Sequence, residues 1–320
     1  MGTRDDRYDL IRGIAIILII FIHSMGVMNG AAECGPTGIR LELACIQGII
    51  AMGVHLFILL SGALLLGKEE PAGVFYKKRT LRILPPFLIW SIVLFVLNRF
   101  VSGGLHWPDV PEFFKELLGG GVHPTYWFVY MIIGLYLVTP LLRAVCRDHA
   151  WLLLGICAAV VLFHLIWPGF SVTGRWFSEN VSCLMDYVAG YVIVRDLRKK
   201  NWLRPAGIIL AAASILSDIC FRFFLKQSLP FEITSAWGLF AILTTLPGTI
   251  RLSRPFRLLS DMSFGIYLSH CLFISAFVRL AEKVSIPVWA DPFLTAGAVL
   301  LAELLLMWAA KKMHLDRVLA

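Results

Sequence analysis

The chain has 320 residues, of which 58% are apolar and only 16% charged, and its mean hydropathy is +0.78. A soluble domain averages roughly 45–50% apolar and about 25% charged residues, so a soluble enzyme of this size could not bury so much apolar surface. Disorder, collagen-like repeats and a disulfide scaffold are excluded as well, and the net charge of +8 has to be explained without a soluble nucleic-acid-binding face.

Residues 1–9 are polar and an apolar run follows. No small-residue cleavage site ends that run, and it is about as long as a full membrane span, so it reads as a retained first helix rather than a removed signal. Lipid offers no partner for backbone N–H and C=O groups, so apolar stretches of this kind must be helical. They fall at 10–28, 43–66, 83–101, 127–145, 151–167, 182–194, 205–221, 232–250, 263–280 and 293–310. The expectation is an all-α, polytopic membrane bundle of about ten transmembrane helices. It forms one domain over 1–320, with no internal repeat and no linker. Lys and Arg support the alternation: 20 fall in one set of connections and 8 in the other. The richer set, which includes both ends of the chain, is expected to be cytoplasmic. The seven cysteines form no Cys-x-x-Cys pair, so metal ligation is not supported. Cys34 and Cys45 could pair outside the membrane, although nothing in the spacing demands it.

Ionisable groups inside spans are costly and point to function. The first helix carries Arg12 and His23. Eleven residues are three turns plus about 20°, so the two side chains share one face, about 16 Å apart along the axis. Arg12 can hold phosphate as a permanent bidentate donor. A neutral imidazole at His23 can take a proton from an attacking hydroxyl. Equally, Arg12 can snorkel to headgroups and His23 can bond a neighbouring helix.

The second span contains His55, Ser61 and Gly62. Its connection to the third contains Arg79 and Arg82, neighbours on one helical face that suit a diphosphate. Positive-inside topology alone accounts for Lys77 and Lys78. Asp186, His164, Asp218, His270 and Glu303 are further ionisable groups in or at the ends of spans, and Glu303 needs a partner or a proton. No Gly-x-Ser-x-Gly elbow, Walker loop, zinc spacing or Rossmann fingerprint is present, which argues against hydrolase, ATPase and dehydrogenase chemistry.

Four passages in order resemble the integral-membrane acyltransferase family 3. The first runs from Tyr8-Asp9-Leu10-Ile11-Arg12-Gly13 to His23. The second joins His55-Leu56-Phe57 and Ser61-Gly62 to Lys78-Arg79-Thr80-Leu81-Arg82. The third is Tyr126-Trp127-Phe128-Val129-Tyr130 with Thr139-Pro140-Leu141-Leu142, and the fourth is Ser263-Phe264-Gly265-Ile266-Tyr267-Leu268-Ser269-His270. The resemblance implies transfer of an acyl group, usually acetyl from acetyl-CoA, to a hydroxyl of a cell-envelope glycan or lipid-linked saccharide at the bacterial cytoplasmic membrane.

Carried over, it makes His23 the catalytic residue and makes Arg12, Arg79 and Arg82 donor-binding. His55, Trp127, Tyr130, His270 and Asp186 are secondary candidates. Many relatives have proline where this chain has His55, which sets that position apart. Many longer relatives also carry an extracytoplasmic hydrolase-like domain. This chain is similar to the stand-alone type, including the enterobacterial common antigen O-acetyltransferases. The expected partners are acetyl-CoA, the acceptor and membrane lipids, with neither nucleic acid nor metal. The alternatives are a transporter or exporter of a glycan or lipid-linked sugar, in which His23 would be a proton relay, and a membrane scaffold or sensor.

Overall fold

The computed structural model describes residues 5–26, 37–102, 109–167, 174–227, 229–248, 250–281, 287–315 and 319. Cys34, and with it the pairing with Cys45, lies outside them, as do Arg4, Lys283, Arg317 and the side chain of Arg175. The described residues are helical, with no strand among them.

Helix α1 (Asp6–His23) starts four residues before the expected span because Asp5 caps it. Asp5 is extended, and its carboxylate accepts from the Arg7 backbone N–H at 3.1 Å, so one otherwise unpaired donor of the first turn is satisfied. The Arg7 guanidinium also grips Asp5 at 2.7 Å and holds its carboxyl below the usual range. The helix ends at His23, not at the expected 28. The Ser24 hydroxyl there donates to the Ile20 carbonyl at 2.8 Å. His23 is therefore the last residue of the helix.

The expected second span is broken at residues 51–52 into α2 (Thr37–Ile50) and α3 (Gly53–Leu65). Helix α4 (Ala72–Ser102) is longer than expected and absorbs the segment read as a loop, so Arg79 and Arg82 are helical. Its 31 residues span about 46 Å, against about 30 Å of hydrocarbon. Helix α4 is therefore longer than the lipid core is thick. Pro85 and Pro86 lie within it.

A short amphipathic helix α5 (Asp109–Gly119) and a 3₁₀ turn (Pro124–Tyr126) lead to α6 (Trp127–Ile166). The backbone of α6 breaks at His149 (φ −124°, ψ 26°). Helix α7 (Gly174–Val192), which continues as a π turn to Leu197, shows what this break does. Thr139 bonds Tyr187 at 2.9 Å and the Cys146 carbonyl accepts from Arg195 at 2.8 Å, so the first leg of α6 runs parallel to α7. Trp151 bonds Asp196 at 2.9 Å while Val161 packs with Met185, so the second leg runs antiparallel. The chain reverses at His149, between the segments read as the fourth and fifth spans.

Helices α8 (Leu203–Cys220) and α9 (Phe231–Thr244) form an antiparallel pair, with Ser214 bonded to Thr234 at 2.8 Å. Helix α10 (Arg254–Asp261) is N-capped by Ser253. Helices α11 (Ser263–Ala281) and α12 (Asp291–Lys312) are joined across their buried faces by Ser269 and Glu303.

Helix α1 is the centre of the bundle. Ile11, Ala15, Ile16, Ile19 and Ile20 are fully or almost fully buried, and α3, α10 and α11 pack around them. Its charged end is clamped: Asp6 accepts from Arg257 at 2.8 Å, Arg7 donates to the Leu246 carbonyl at 3.1 Å, and Arg198 reaches Asp5 at 3.4 Å. Helices α3 and α7 cross at Gly62 and Gly190. A Cβ at Gly62 would overlap the Tyr187 carbonyl and one at Gly190 the Leu59 carbonyl, so only glycine permits this approach.

Large apolar side chains such as Leu152, Ile156, Ile209, Leu301 and Leu305 point outward, as a lipid-facing surface requires. Among the described residues six helical segments are long and apolar enough to cross a membrane: Thr37–Leu65, Ala72–Val101, Pro124–Ile166, Leu203–Leu225, Ser263–Leu280 and Asp291–Lys312. Phe231–Thr244 is apolar but shorter. The molecule is a multi-pass membrane protein of the all-α class.

Candidate active site

Helices α1, α3, α4, α6 and α11 enclose a cavity of about 350 Å³. Four cations line it: Arg12 from α1, Lys68 from the α3–α4 connection, and Arg79 and Arg82 from the first turns of α4. Arg12 is held by Asp9 at 2.8 Å, and Asp9 is itself bonded by Ser260 at 3.3 Å. The Arg79 guanidinium lies 5.6 Å from the centre of the Phe75 ring, and its buried Nε has no hydrogen-bond partner among the described residues. The cavity is thus cationic along part of its wall and apolar where Leu60, Leu64, Phe57, Phe128 and Tyr267 close it. Arg12, Arg79 and Arg82, separate in the sequence, converge here. Lys68, which sequence reasoning treated only as a topology cation, joins them, as do Tyr136 and Ser263.

His23 does not line this cavity. Its ring lies 5.1 Å from that of His270, and the His270 ring lies 5.7 Å from that of Tyr267, which does line it. The path from the cations to His23 therefore passes Tyr267 and His270. His270 is fully buried, and its Nδ1–H donates to the Tyr267 carbonyl at 2.6 Å. That assignment leaves Nε2 as an acceptor, and the Cys271 thiol lies 3.3 Å from it. Cys271 in turn contacts Thr125 at 3.5 Å, and Thr125 bonds His123 at 2.8 Å. Sequence reasoning missed His123 and Thr125, because the 3₁₀ turn that delivers them has no periodic signal, and Cys271, which follows His270 on α11, because a lone cysteine in an apolar span reads as core.

Two secondary candidates lie elsewhere. Trp127 is half exposed and stacks edge-on against Phe128, and it is Phe128 that reaches the cavity. Tyr130 donates to the Leu117 carbonyl and packs on Phe87, tying α5 to the bundle. Successive residues at the start of α6 face different ways: Tyr126 is fully buried with its hydroxyl on the Leu268 carbonyl, Phe128 reaches the cavity, and Trp127 faces outward.

His55 and Asp186 prove to be partners. The His55 Nδ1 lies 2.6 Å from Asp186 Oδ2, and Trp237 donates to Asp186 Oδ1 at 2.6 Å. Asp218 pairs with Arg222 at 2.8 Å, and Arg222 also reaches Gln47 at 3.3 Å. None of these residues lines the cationic cavity. Glu303 finds its partner in Ser269, at 2.8 and 2.9 Å, and His164, on the second leg of α6, has a buried Nδ1 without a hydrogen-bond partner among the described residues. Breaking a buried pair on one side costs about 3–5 kcal/mol. Asp186→Ala is therefore expected to lower the thermal unfolding midpoint of the purified protein by several degrees. An unchanged midpoint would show that the pair carries no structural weight.

Among the described residues no group of three or more His, Cys, Asp or Glu is placed to hold a metal ion. Comparison with curated proteins and with solved structures returned no match. The acyltransferase-domain model of the acyltransferase 3 family matches residues 5–310, a stretch that contains the cationic cavity, His23 and His270. The match takes in nearly every described residue, and the chain belongs to the acyltransferase 3 family.

Proposed function

We propose that this protein is an O-acyltransferase that takes an acetyl group from acetyl-CoA at the cytoplasmic face and passes it to a hydroxyl of a cell-envelope glycan or lipid-linked saccharide. The site would lie in a bacterial cytoplasmic membrane. The observation that carries the reading is the cavity in which Arg12, Arg79, Arg82 and Lys68 converge, together with the Tyr267–His270–His23 succession at its closed end. Guanidinium groups bind diphosphate by charge-assisted, bidentate hydrogen bonds. An apolar slot beyond them suits the thin pantetheine arm.

At the inner end, His23 acts as the acid–base group. The acceptor hydroxyl gives its proton to the imidazole as its oxygen bonds to the thioester carbonyl carbon. The C–S bond then breaks, and the departing CoA thiolate takes the proton from the imidazolium. His270, with Nδ1 fixed on a backbone carbonyl, holds one ring position beside His23 and acts as a positioning residue.

The test is release of free CoA by purified protein with candidate acceptors, read alongside the mass shift of the acceptor. Arg79→Gln with Arg82→Gln should raise the dissociation constant for acetyl-CoA by about 10–100-fold, as expected for the loss of hydrogen bonds to charged groups. An unchanged constant would remove these arginines from the donor site. Substrate movement across vesicles without CoA release would overturn the enzyme reading.

A further inference from the structure

His123 is the N-cap of the 3₁₀ turn, with an extended backbone at φ −153° and ψ 136°. Three contacts fasten this turn to α11. The Tyr126 hydroxyl donates to the Leu268 carbonyl at 2.9 Å, the Tyr267 hydroxyl donates to the Thr125 carbonyl, and the Thr125 hydroxyl lies 3.5 Å from the Cys271 thiol. The turn is thereby held against residues 267–271, which connect the cationic cavity to His23. His123 comes near enough to His23 and to His270 for its charge to act on both. The end of α1, the turn before α6 and the middle of α11 thus bring three histidines, remote in the sequence, to one place.

Their ring nitrogens are not equivalent. A backbone N–H can only donate, so the Thr125 N–H at 3.3 Å makes His123 Nδ1 an acceptor, and the Thr125 hydroxyl lies 2.8 Å from the same nitrogen. A neutral imidazole that accepts at Nδ1 carries its proton on Nε2. The His123 ring lies 5.9 Å from that of Tyr126, and burial pushes it below the usual histidine range, which keeps it neutral. Its Nε2–H makes no hydrogen bond among the described residues. His270 is the reverse case, because its N–H is spent on the Tyr267 carbonyl and Nε2 is left to accept. His23, to take a proton, has to present a lone pair. Of the three rings only His123 has an N–H to give.

Acyl transfer calls for such a donor. When an oxygen attacks a thioester, the carbonyl oxygen takes on negative charge, and in a site of low dielectric that charge is costly unless a hydrogen bond is aimed at it. Resting on the reading of this site as an acyl-transfer centre, we infer that His123 is a further catalytic residue, whose Nε2–H donates to the thioester carbonyl oxygen beside His23. The acceptor oxygen bonds to the carbonyl carbon as its proton passes to His23, and the carbonyl π pair moves onto the oxygen that faces His123. As that pair returns to re-form C=O, the C–S bond breaks and the CoA thiolate takes the proton from His23. His123 keeps its own proton throughout.

Two amide variants separate catalysis from capping. In His123→Asn the side-chain oxygen replaces Nδ1 as the acceptor of the turn, so the N-cap is kept, but nothing stands where Nε2 stood. In His123→Gln the longer side chain brings an amide N–H toward the Nε2 position and gives up the short capping contact. The measurement is transfer of label from acetyl-CoA, labelled in its acetyl group, to the native acceptor in host membranes carrying each full-length variant. The acetyl-CoA dissociation constant and the thermal unfolding midpoint are read on the purified proteins. His123→Asn should lower the transfer rate by about 10²–10³-fold, the usual cost of losing one oxyanion donor, with the dissociation constant and the midpoint unchanged. His123→Gln should recover most of that loss. The inference is overturned if His123→Asn keeps the full rate, if the two variants lose rate equally, or if the loss in His123→Asn comes with a lower midpoint. If the unmodified protein transfers no label, it is the acetyl-CoA reading itself that fails.

Discussion

On the proposed function, His23→Ala is expected to lower acetyl transfer by about 10²–10⁴-fold, the usual contribution of a positioned acid–base side chain, while acetyl-CoA binding should stay close to that of the unmodified protein. The split between the two readouts follows from the geometry. His23 stands outside the cation-lined cavity, with its ring 5.1 Å from that of His270, which in turn lies 5.7 Å from that of Tyr267. Removing it takes away no phosphate contact. It also removes little packing, because His23 is the half-buried last residue of α1 and the helix stop is made by Ser24. The measurements are single-turnover CoA release and the donor dissociation constant on the same preparation. Full transfer activity in His23→Ala would refute the assignment. Equal loss of binding and turnover would make His23 a donor ligand instead. His23→Gln should be as inactive as Ala, because an amide occupies similar space but cannot take the proton.

The second large effect is structural. Gly62→Val should prevent stable insertion, and Gly62→Ala should be milder in the same direction. Overpacking a protein interior costs about 1–3 kcal/mol when side chains can shift. Here the obstacle is the Tyr187 carbonyl, part of a helix backbone, and no rotamer change removes it. The same holds at Gly190 against the Leu59 carbonyl. The two glycines oppose carbonyls rather than each other, so substituting both adds the damage instead of relieving it. Yield of folded protein in membranes and thermal unfolding in mild detergent both report the outcome. A Gly62→Ala protein with an unchanged unfolding midpoint would mean that α3 and α7 do not approach this closely.

The sequence made some features legible because they follow from local periodicity. Arg12 and His23 lie on α1 as its apolar run led one to expect, although only Arg12 reaches the cavity, and Arg79 and Arg82 both line that cavity as an i, i+3 pair can. The polar stretch between the fourth and fifth apolar runs marked the place where the chain reverses at His149.

What stayed hidden depends on contacts between distant segments or on single capping bonds. The early start of α1 depends on one carboxylate, Asp5. His55 and Asp186 were both visible as costly residues, but their pairing is a property of how α3 and α7 are apposed. Lys68 resembles any other loop cation until α4 brings Arg79 beside it. Trp127 and Tyr130 stood out because they belong to an aromatic passage, yet the inward position falls to their neighbour Phe128.

The clamp on the charged end of α1 has a further consequence. Asp6, Arg7 and Asp5 are tied to segments following α7 and α9 and to α10, so α1 cannot slide along its own axis. The distance from Arg12 to His23, about 16 Å along a rigid helix, is then a fixed gauge. On the proposed reading, a donor whose phosphates are anchored at the Arg12 end would present its thioester at a set depth, and acyl groups would be graded by how much they overshoot that depth. Selectivity for acyl length would be decided by an immovable ruler through the middle of the molecule rather than by a shaped pocket around the acyl group.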